Sequence, residues 1–321
     1  MLRRLIFLGE VNGKQLLALG SVIHRDTHIH GSARKLFCGP LLQKVSAINM
    51  GDDQKSLLDK AKKLAAYQAV DDHVKLCKTS KCIITSSLIG WTSSGHREWN
   101  NAVYAVERIA QRAREENLNL ICIPTSFQAK NLIISNGLQL SELDVHYPID
   151  VTIDGCDECD QDLNVIKGGG GCLLQEKIVA SASKKLIIVG DFSKESRYLG
   201  EKWKKGIPLE VAQMGARVVL EKLQKFTDSV GGSVIPTKVR QAVNKMGPVI
   251  TDNGNFIVDF QFGDAMKTGE LHNAQSVESW LKSIPGILET GLFVKMANQA
   301  YFGQPDGTVK STHERIIKNG F

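Results

Sequence analysis

No stretch of about eighteen consecutive apolar residues occurs in the 321-residue chain, which excludes a membrane-spanning helix. Proline is scarce, with 8 residues, and the 29 glycines follow no short repeat, so collagen-like and low-complexity classes are excluded as well. No block of basic residues stands out: 40 Lys and Arg against 34 Asp and Glu give a formal charge of +6, spread along the sequence. Nucleic acid is therefore not expected as a partner, whereas a small anionic substrate is compatible with the charge. No internal repeat of 20 to 50 residues is visible either. What the chain does have is 42% hydrophobic residues, enough for sizeable cores, and a length of about two domains.

The 7 cysteines are odd in number, and several lie inside apolar runs such as Leu120-Ile121-Cys122-Ile123. Reduced thiols and a cytoplasmic location follow as the expectation. Cys156 and Cys159 have the spacing of half a zinc site, but no second pair follows at finger spacing, so no metal is expected. His24, His28 and His30 are read as solvated side chains.

Residues 1–53 hold Glu10, Asp26, Asp52 and Asp53 as their only acids and show no sustained period. They read as a leader, either an organelle-targeting segment or an unstructured or non-native start. Organised sequence begins at Ser56, a helix cap, followed by Leu57, Leu58, Ala61, Leu64, Ala65 and Val70 at helical spacing to about His73. Cys82-Ile83-Ile84 suggests a short strand in an otherwise unpatterned stretch from 75 to 101. A helix follows on the face Ala102, Val103, Ala105, Val106, Ile109, Ala110, then a strand over 118–123 and a helix from Phe127 to about Ser135. The alternation repeats with strand Val151-Thr152-Ile153, a loop over 154–171, a helix from Cys172 to Ser183 and strand Leu186-Ile187-Ile188-Val189. This predicts an α/β fold with a Rossmann-like, mostly parallel sheet and helices on both faces. Beyond Lys204 come a helix over Val211 to Phe226, an edge strand over Ser233 to Pro236, a hairpin over Val249 to Phe262 turning at Asp252-Asn253-Gly254-Asn255, a helix over Ala274 to Ile284 and a strand at Leu292-Phe293-Val294. These predict a smaller α+β domain. The expected boundaries are a catalytic domain over 54–203, the small domain over 204–296, and a return to the first over 297–321.

The densest cluster of reactive side chains is Asp154-Gly155-Cys156-Asp157-Glu158, then Lys167-Gly168-Gly169-Gly170-Gly171, then Glu176-Lys177. Asp154 follows a strand, and ligands of open α/β sheets bind beyond the carboxyl ends of strands. A glycine run before a helix exposes backbone N–H groups to an anion, and the helix start adds its positive end. A base, an ammonium and oxyanion donors together suit proton transfer next to a carbonyl. Read singly, the glycine run is a flexible loop and Asp-Gly a turn. Lys194, just beyond the next strand, is placed to hold a substrate phosphate, with a solvated lysine as the alternative. Gly168 to Gly171 lacks the dinucleotide spacing, so no cofactor is expected.

These strings, with IPTSFQA, KGIPLEV, GPVITDNGNFIVDF and PGILETGLF, resemble the type A ribose-5-phosphate isomerases, in particular their animal and plant-like members. The likeness covers roughly 56–74 and 102 to the C-terminus. It implies a metal-free and cofactor-free aldose–ketose isomerase acting on a sugar phosphate through an enediolate, with self-association left open. By resemblance Glu176 shuttles the proton between carbons 2 and 1, and Lys167 with the N–H groups of Gly168, Gly169 and Gly170 stabilises the enediolate oxygen. Asp154 assists ring opening, Asp157 beside Gly155 binds sugar hydroxyls, and Lys194 and Lys62 bind substrate, Lys62 at its phosphate. One departure is local: the family's Gly-x-Gly-Ser-Gly-Ser-Thr phosphate loop is missing between Lys75 and Asn101, where Trp91 and Trp99 stand instead. The departure predicts a poor isomerase, or an inactive or ligand-sensing relative on the same scaffold. A third reading is another acid–base enzyme on sugar phosphates or thioesters.

Overall fold

The computed structural model describes residues 5–11, 14–20, 39–74, 82–84, 90–91, 97–98, 101–229, 237–262 and 273–313. Residues 1–51 and 52–321 are separate units. In the first, β1 (Leu5–Val11) and β2 (Lys14–Gly20) form an antiparallel hairpin. Helix α1 (Gly39–His73) begins well before the cap expected at Ser56. Then follow β3 (Cys82–Ile84), the short antiparallel pair β4 (Gly90–Trp91) and β5 (Arg97–Glu98), α2 (Asn101–Glu115), β6 (Ile121–Cys122), α3 (Phe127–Ser135) and β7 (Gln139–Leu140). The Ser126 hydroxyl caps α3 by accepting from the Ala129 N–H at 3.0 Å, a contact worth about 1 kcal/mol.

The next elements are β8 (Val151–Gly155), β9 (Glu158–Cys159), β10 (Val165–Ile166), α4 (Leu173–Ser181), β11 (Leu186–Asp191), β12 (Ile207–Val211), α5 (Ala216–Ser229), β13 (Lys238–Val239), β14 (Phe256–Phe260), α6 (Ala274–Lys282), β15 (Ile287–Thr290), β16 (Leu292–Phe293), β17 (Ala297–Gly303) and β18 (Val309–His313). The main sheet has the order β18-β17-β11-β8-β3, parallel except for the edge strand β18. Every residue of β8 and of β11 is buried, as a parallel sheet covered on both faces requires. On one face Ala65, Ala69 and Val70 of α1 and Val106 and Ile109 of α2 pack on Ile153, Ile187 and Val189. On the other, Ala180 of α4 packs with Ile188, Ala300, Phe302 and Phe293.

The second sheet is antiparallel, in the order β13-β14-β12-β15, and buries Leu209, Val258 and Phe260 under Val219 and Leu223 of α5 and Val277 and Leu281 of α6. Three expectations for this region change. The helix expected from Val211 to Phe226 starts at Ala216 instead, because Val211 ends the strand β12. The hairpin expected over Val249 to Phe262 is reduced to the single bridge Ile250↔Phe256, because β14 pairs along its length with β12 and joins β13 on its other edge. The segment 154–171 is not a plain loop, since β9 and β10 join β16 in a three-stranded sheet. The edge strand expected over Ser233 to Pro236, the histidines 24, 28 and 30, and most of 75–101 lie outside the described residues.

Candidate active site

Strand β8 ends on Asp154 and Gly155, with the Asp154 side chain wholly buried. One Asp154 oxygen accepts from the Gly155 N–H at 2.8 Å, and the other lies 2.8 Å from Nζ of Lys167. The β9–β10 turn brings Lys167 back to this point: Val165 and Ile166 pair with Cys159 and Glu158, and the Lys167 N–H donates to the Gly291 carbonyl at 2.8 Å. Nζ of Lys167 also donates to the Gly155 carbonyl at 2.7 Å, and the side chain is 1% exposed. Burial alone would favour the neutral amine, but the carboxylates of Asp154 and Glu176 outweigh it and keep the proton on the nitrogen.

Helix α4 supplies the other carboxylate. Its buried face is Leu173, Glu176, Lys177 and Ala180, the i, i+3, i+4, i+7 stripe by which a helix packs on a core, so two charged residues occupy core positions. Glu176 is 0% exposed; its Oε2 lies 3.4 Å from Nζ of Lys167, and neither of its oxygens has a hydrogen-bond partner among the described residues. Burial raises the Glu176 pKa from 4.5 to about 8, against the opposing pull of Lys167. A carboxyl group so tuned, paired with one ammonium and without a hydrogen-bond partner among the described residues, is suited to exchanging a proton with a ligand near neutral pH.

This shift has a consequence for stability. With its pKa raised by burial, Glu176 keeps its proton to higher pH in the folded protein than in the unfolded chain. The stability it contributes is therefore full below the ordinary carboxylate range and declines as pH rises towards 8. Calorimetric melting of the wild type should fall more between pH 5 and pH 8 than that of Glu176→Gln, whose amide does not titrate. Parallel melting curves across that range would mean that Glu176 is ionised throughout.

The glycine run closes the site. The Gly169 N–H donates to Oδ2 of Asp157 at 2.6 Å, and a Cβ on Gly169 would come within 2.5 Å of that carboxylate. Gly168 has φ +95° and lies against Leu173 and Pro208, so it is glycine for both backbone and space. Burial raises the Asp157 pKa, opposed by the Gly169 N–H and by the charges of Lys194, Lys167 and Arg240. Lys194 follows β11, its carbonyl accepting from the Cys159 N–H at 2.8 Å, and is half-buried within electrostatic reach of Asp157. Lys62 stands apart from Asp154, Lys167 and Glu176, with Nζ 3.6 Å from Asp59. It lies at the same end of the sheet, because the preceding Ala61 packs against Gly303, the β17 residue that pairs with Asp191. Cys156 and Cys159 belong to an apolar cluster, and burial pushes the Cys156 thiol up to about 12. Among the described residues no group of three or more His, Cys, Asp or Glu is arranged to hold a metal.

Two charged residues have roles that the sequence does not assign, Lys177, named there only beside Glu176, and Arg240. Lys177 reaches away from Glu176 to Glu278, to Glu289 at 3.0 Å and to the Thr290 hydroxyl at 3.1 Å, tying α4 to α6 and β15. Its position beside Glu176 on the inward stripe of α4 was the available signal. Arg240 donates to the carbonyls of Gly168 and Gly169, at a sequence distance that leaves no local trace.

The family model for ribose 5-phosphate isomerase A (phosphoriboisomerase A) matches residues 121–307. Ribose-5-phosphate isomerase of Homo sapiens is 49% identical over 255 residues, covering 79% of this chain and 73% of that protein. The Dictyostelium discoideum ribose-5-phosphate isomerase is 50% identical over 253 residues, covering 79% and 97%. Among solved structures, ribose 5-phosphate isomerase from Plasmodium falciparum superposes with a TM-score of 0.66 at 34% identity, covering 81% of this chain and 99% of that one. The buried Asp154, Lys167 and Glu176 cluster therefore sits in a chain that belongs to the ribose 5-phosphate isomerase A family.

Proposed function

We propose that the chain interconverts ribose 5-phosphate and ribulose 5-phosphate through an enediolate. The observation that carries the reading is the dry carboxylate of Glu176, without a hydrogen-bond partner among the described residues, 3.4 Å from an ammonium that also holds Asp154. Asp154 assists opening of the sugar ring. Glu176 removes the proton from carbon 2 of the open chain and returns it to carbon 1, while the proton on the carbon 2 hydroxyl moves to the carbon 1 oxygen. Lys167 and the glycine N–H groups stabilise charge on the oxygens as it develops. Asp157 takes sugar hydroxyls, and Lys194 and Lys62 bind the substrate at its phosphate end. The sugar is neither oxidised nor reduced overall, so the step requires no external redox partner. The cytosol is the proposed compartment, in keeping with free thiols at Cys122, Cys156, Cys159 and Cys172.

A coupled assay of the full chain on ribose 5-phosphate tests this. Ribulose 5-phosphate should accumulate; binding of ribose 5-phosphate without turnover would favour the ligand-sensing reading instead. The absence of the family's phosphate-loop string over 75–101 sets a second expectation. A phosphate dianion gains about 1.5–3 kcal/mol from each charge-assisted hydrogen bond, and that remote grip positions carbons 1 and 2 against the base. Grafting a glycine, serine and threonine loop into this interval should raise kcat/KM by about a hundredfold or more. Equal efficiency in the native and grafted chains would mean that the present sequence already grips the phosphate.

A further inference from the structure

Arg240 extends from the end of β13 in the antiparallel sheet, yet its side chain ends on the glycine run of the site. Its Nε donates to Oδ2 of Asp259 at 2.9 Å, and its Nη2 donates to the other oxygen of the same carboxylate. Asp259 lies opposite Lys238 in the β13–β14 register, so the guanidinium is braced from the neighbouring strand. Its remaining nitrogen, Nη1, donates to the Gly168 carbonyl at 2.9 Å and to the Gly169 carbonyl at 3.0 Å. A planar fork can hold a carboxylate on one edge and two carbonyls on another; a single ammonium has no such shape.

The geometry points to Arg240 as a positioning residue for the isomerisation, one that aims the N–H groups of the glycine run through their own peptide planes. In a planar trans peptide the carbonyl and the N–H point in opposite directions. Pinning the Gly168 carbonyl turns the Gly169 N–H away from Arg240, where it meets Asp157 at 2.6 Å. Pinning the Gly169 carbonyl turns the Gly170 N–H the same way, and this N–H has no partner among the described residues. It is the donor left over for an oxygen of the ligand. One bond inside the run, from the Gly171 N–H to the Gly168 carbonyl at 3.0 Å, closes a turn but leaves the Gly169–Gly170 peptide unheld, and since glycine restrains that backbone little, the outside brace on the Gly169 carbonyl is what fixes the remaining donor. Arg240 supplies it without touching substrate.

The inference rests on the isomerase reading, and the test keeps the two apart. Arg240→Lys, Arg240→Gln and Asp259→Asn are assayed beside the wild type at saturating ribose 5-phosphate, well below each melting temperature. Misplacing a catalytic group by about 1 Å costs up to about 10²-fold, so both Arg240 variants should lose tenfold or more in kcat while KM moves by less than a factor of about three. Lysine should fail to rescue, because it keeps the charge and loses the fork. If the Arg240 variants do not fold, Asp259→Asn carries the test, since it leaves Arg240 unbraced and should lower kcat severalfold. Wild-type kcat in folded Arg240→Lys or Arg240→Gln, or in Asp259→Asn where the other two do not fold, would overturn the assignment. An inactive wild type would instead overturn the isomerase reading itself.

Discussion

Glu176→Gln should abolish isomerisation while leaving the fold intact. The amide matches the carboxyl group in shape, and neither oxygen of Glu176 makes a hydrogen bond within the described protein that the substitution would break. The chemistry fares differently, because the amide does not accept a proton from carbon. Loss of a positioned general base costs about 10²–10⁴-fold in turnover, and the upper end is expected where one group carries the proton in both directions. Circular dichroism and a coupled assay on the same preparation make the comparison. Near-native kcat in a folded Glu176→Gln protein would remove this residue from the mechanism.

Lys167→Met should lower kcat by about 10²–10³-fold with a smaller change in KM, because the ammonium is assigned to charge that grows in the transition state. The unbranched methionine fills much of the space of the lysine stem, so the main structural loss is the cation between Asp154 and Glu176. Two buried carboxyl groups then face each other without it, and removing one partner of a buried ionic cluster typically costs about 3–5 kcal/mol. With the ammonium gone, nothing opposes the burial that already raises the Glu176 pKa, so the variant should be least stable at alkaline pH and recover as pH falls into the ordinary carboxylate range. Lys194→Ala should show the opposite kinetic split, a raised KM with kcat nearly kept. If Lys167→Met altered only KM and Lys194→Ala only kcat, the two roles would be exchanged.

The parts of the site legible in the sequence are those confined to one stretch. Asp154 at a strand end, the glycine run and Glu176 on the following helix lie within 23 residues, and each has a local signature. The strand and helix alternation of the parallel sheet was legible for the same reason, since β8 and β11 are apolar runs buried on both faces. What was hidden depends on long-range pairing. Strands β9 and β10 are two residues each, too short for any period to register, yet their pairing is what folds Lys167 back onto Gly155. Strand β12 contains Pro208, which argues against a strand flanked on both sides. It is accommodated near the strand's start, where its carbonyl still accepts from the Gly291 N–H at 2.7 Å. Arg240 reaches the glycine run only because β13 pairs with β14, and nothing near it in sequence marks that role.

The central claim is that Glu176 carries the substrate proton between carbons 2 and 1, and solvent isotope exchange tests it most directly. Ribose 5-phosphate is held at equilibrium with the wild-type chain in deuterium oxide for many turnovers, and the pentose phosphates are then analysed by proton NMR. While the enediolate lasts, a carboxyl group holding the proton can exchange it with solvent, so deuterium should enter at carbon 2 of ribose 5-phosphate and carbon 1 of ribulose 5-phosphate. Glu176→Gln under the same conditions should incorporate none. Deuterium entering at the wild-type rate in Glu176→Gln would contradict the account, since a group other than Glu176 would then carry the proton.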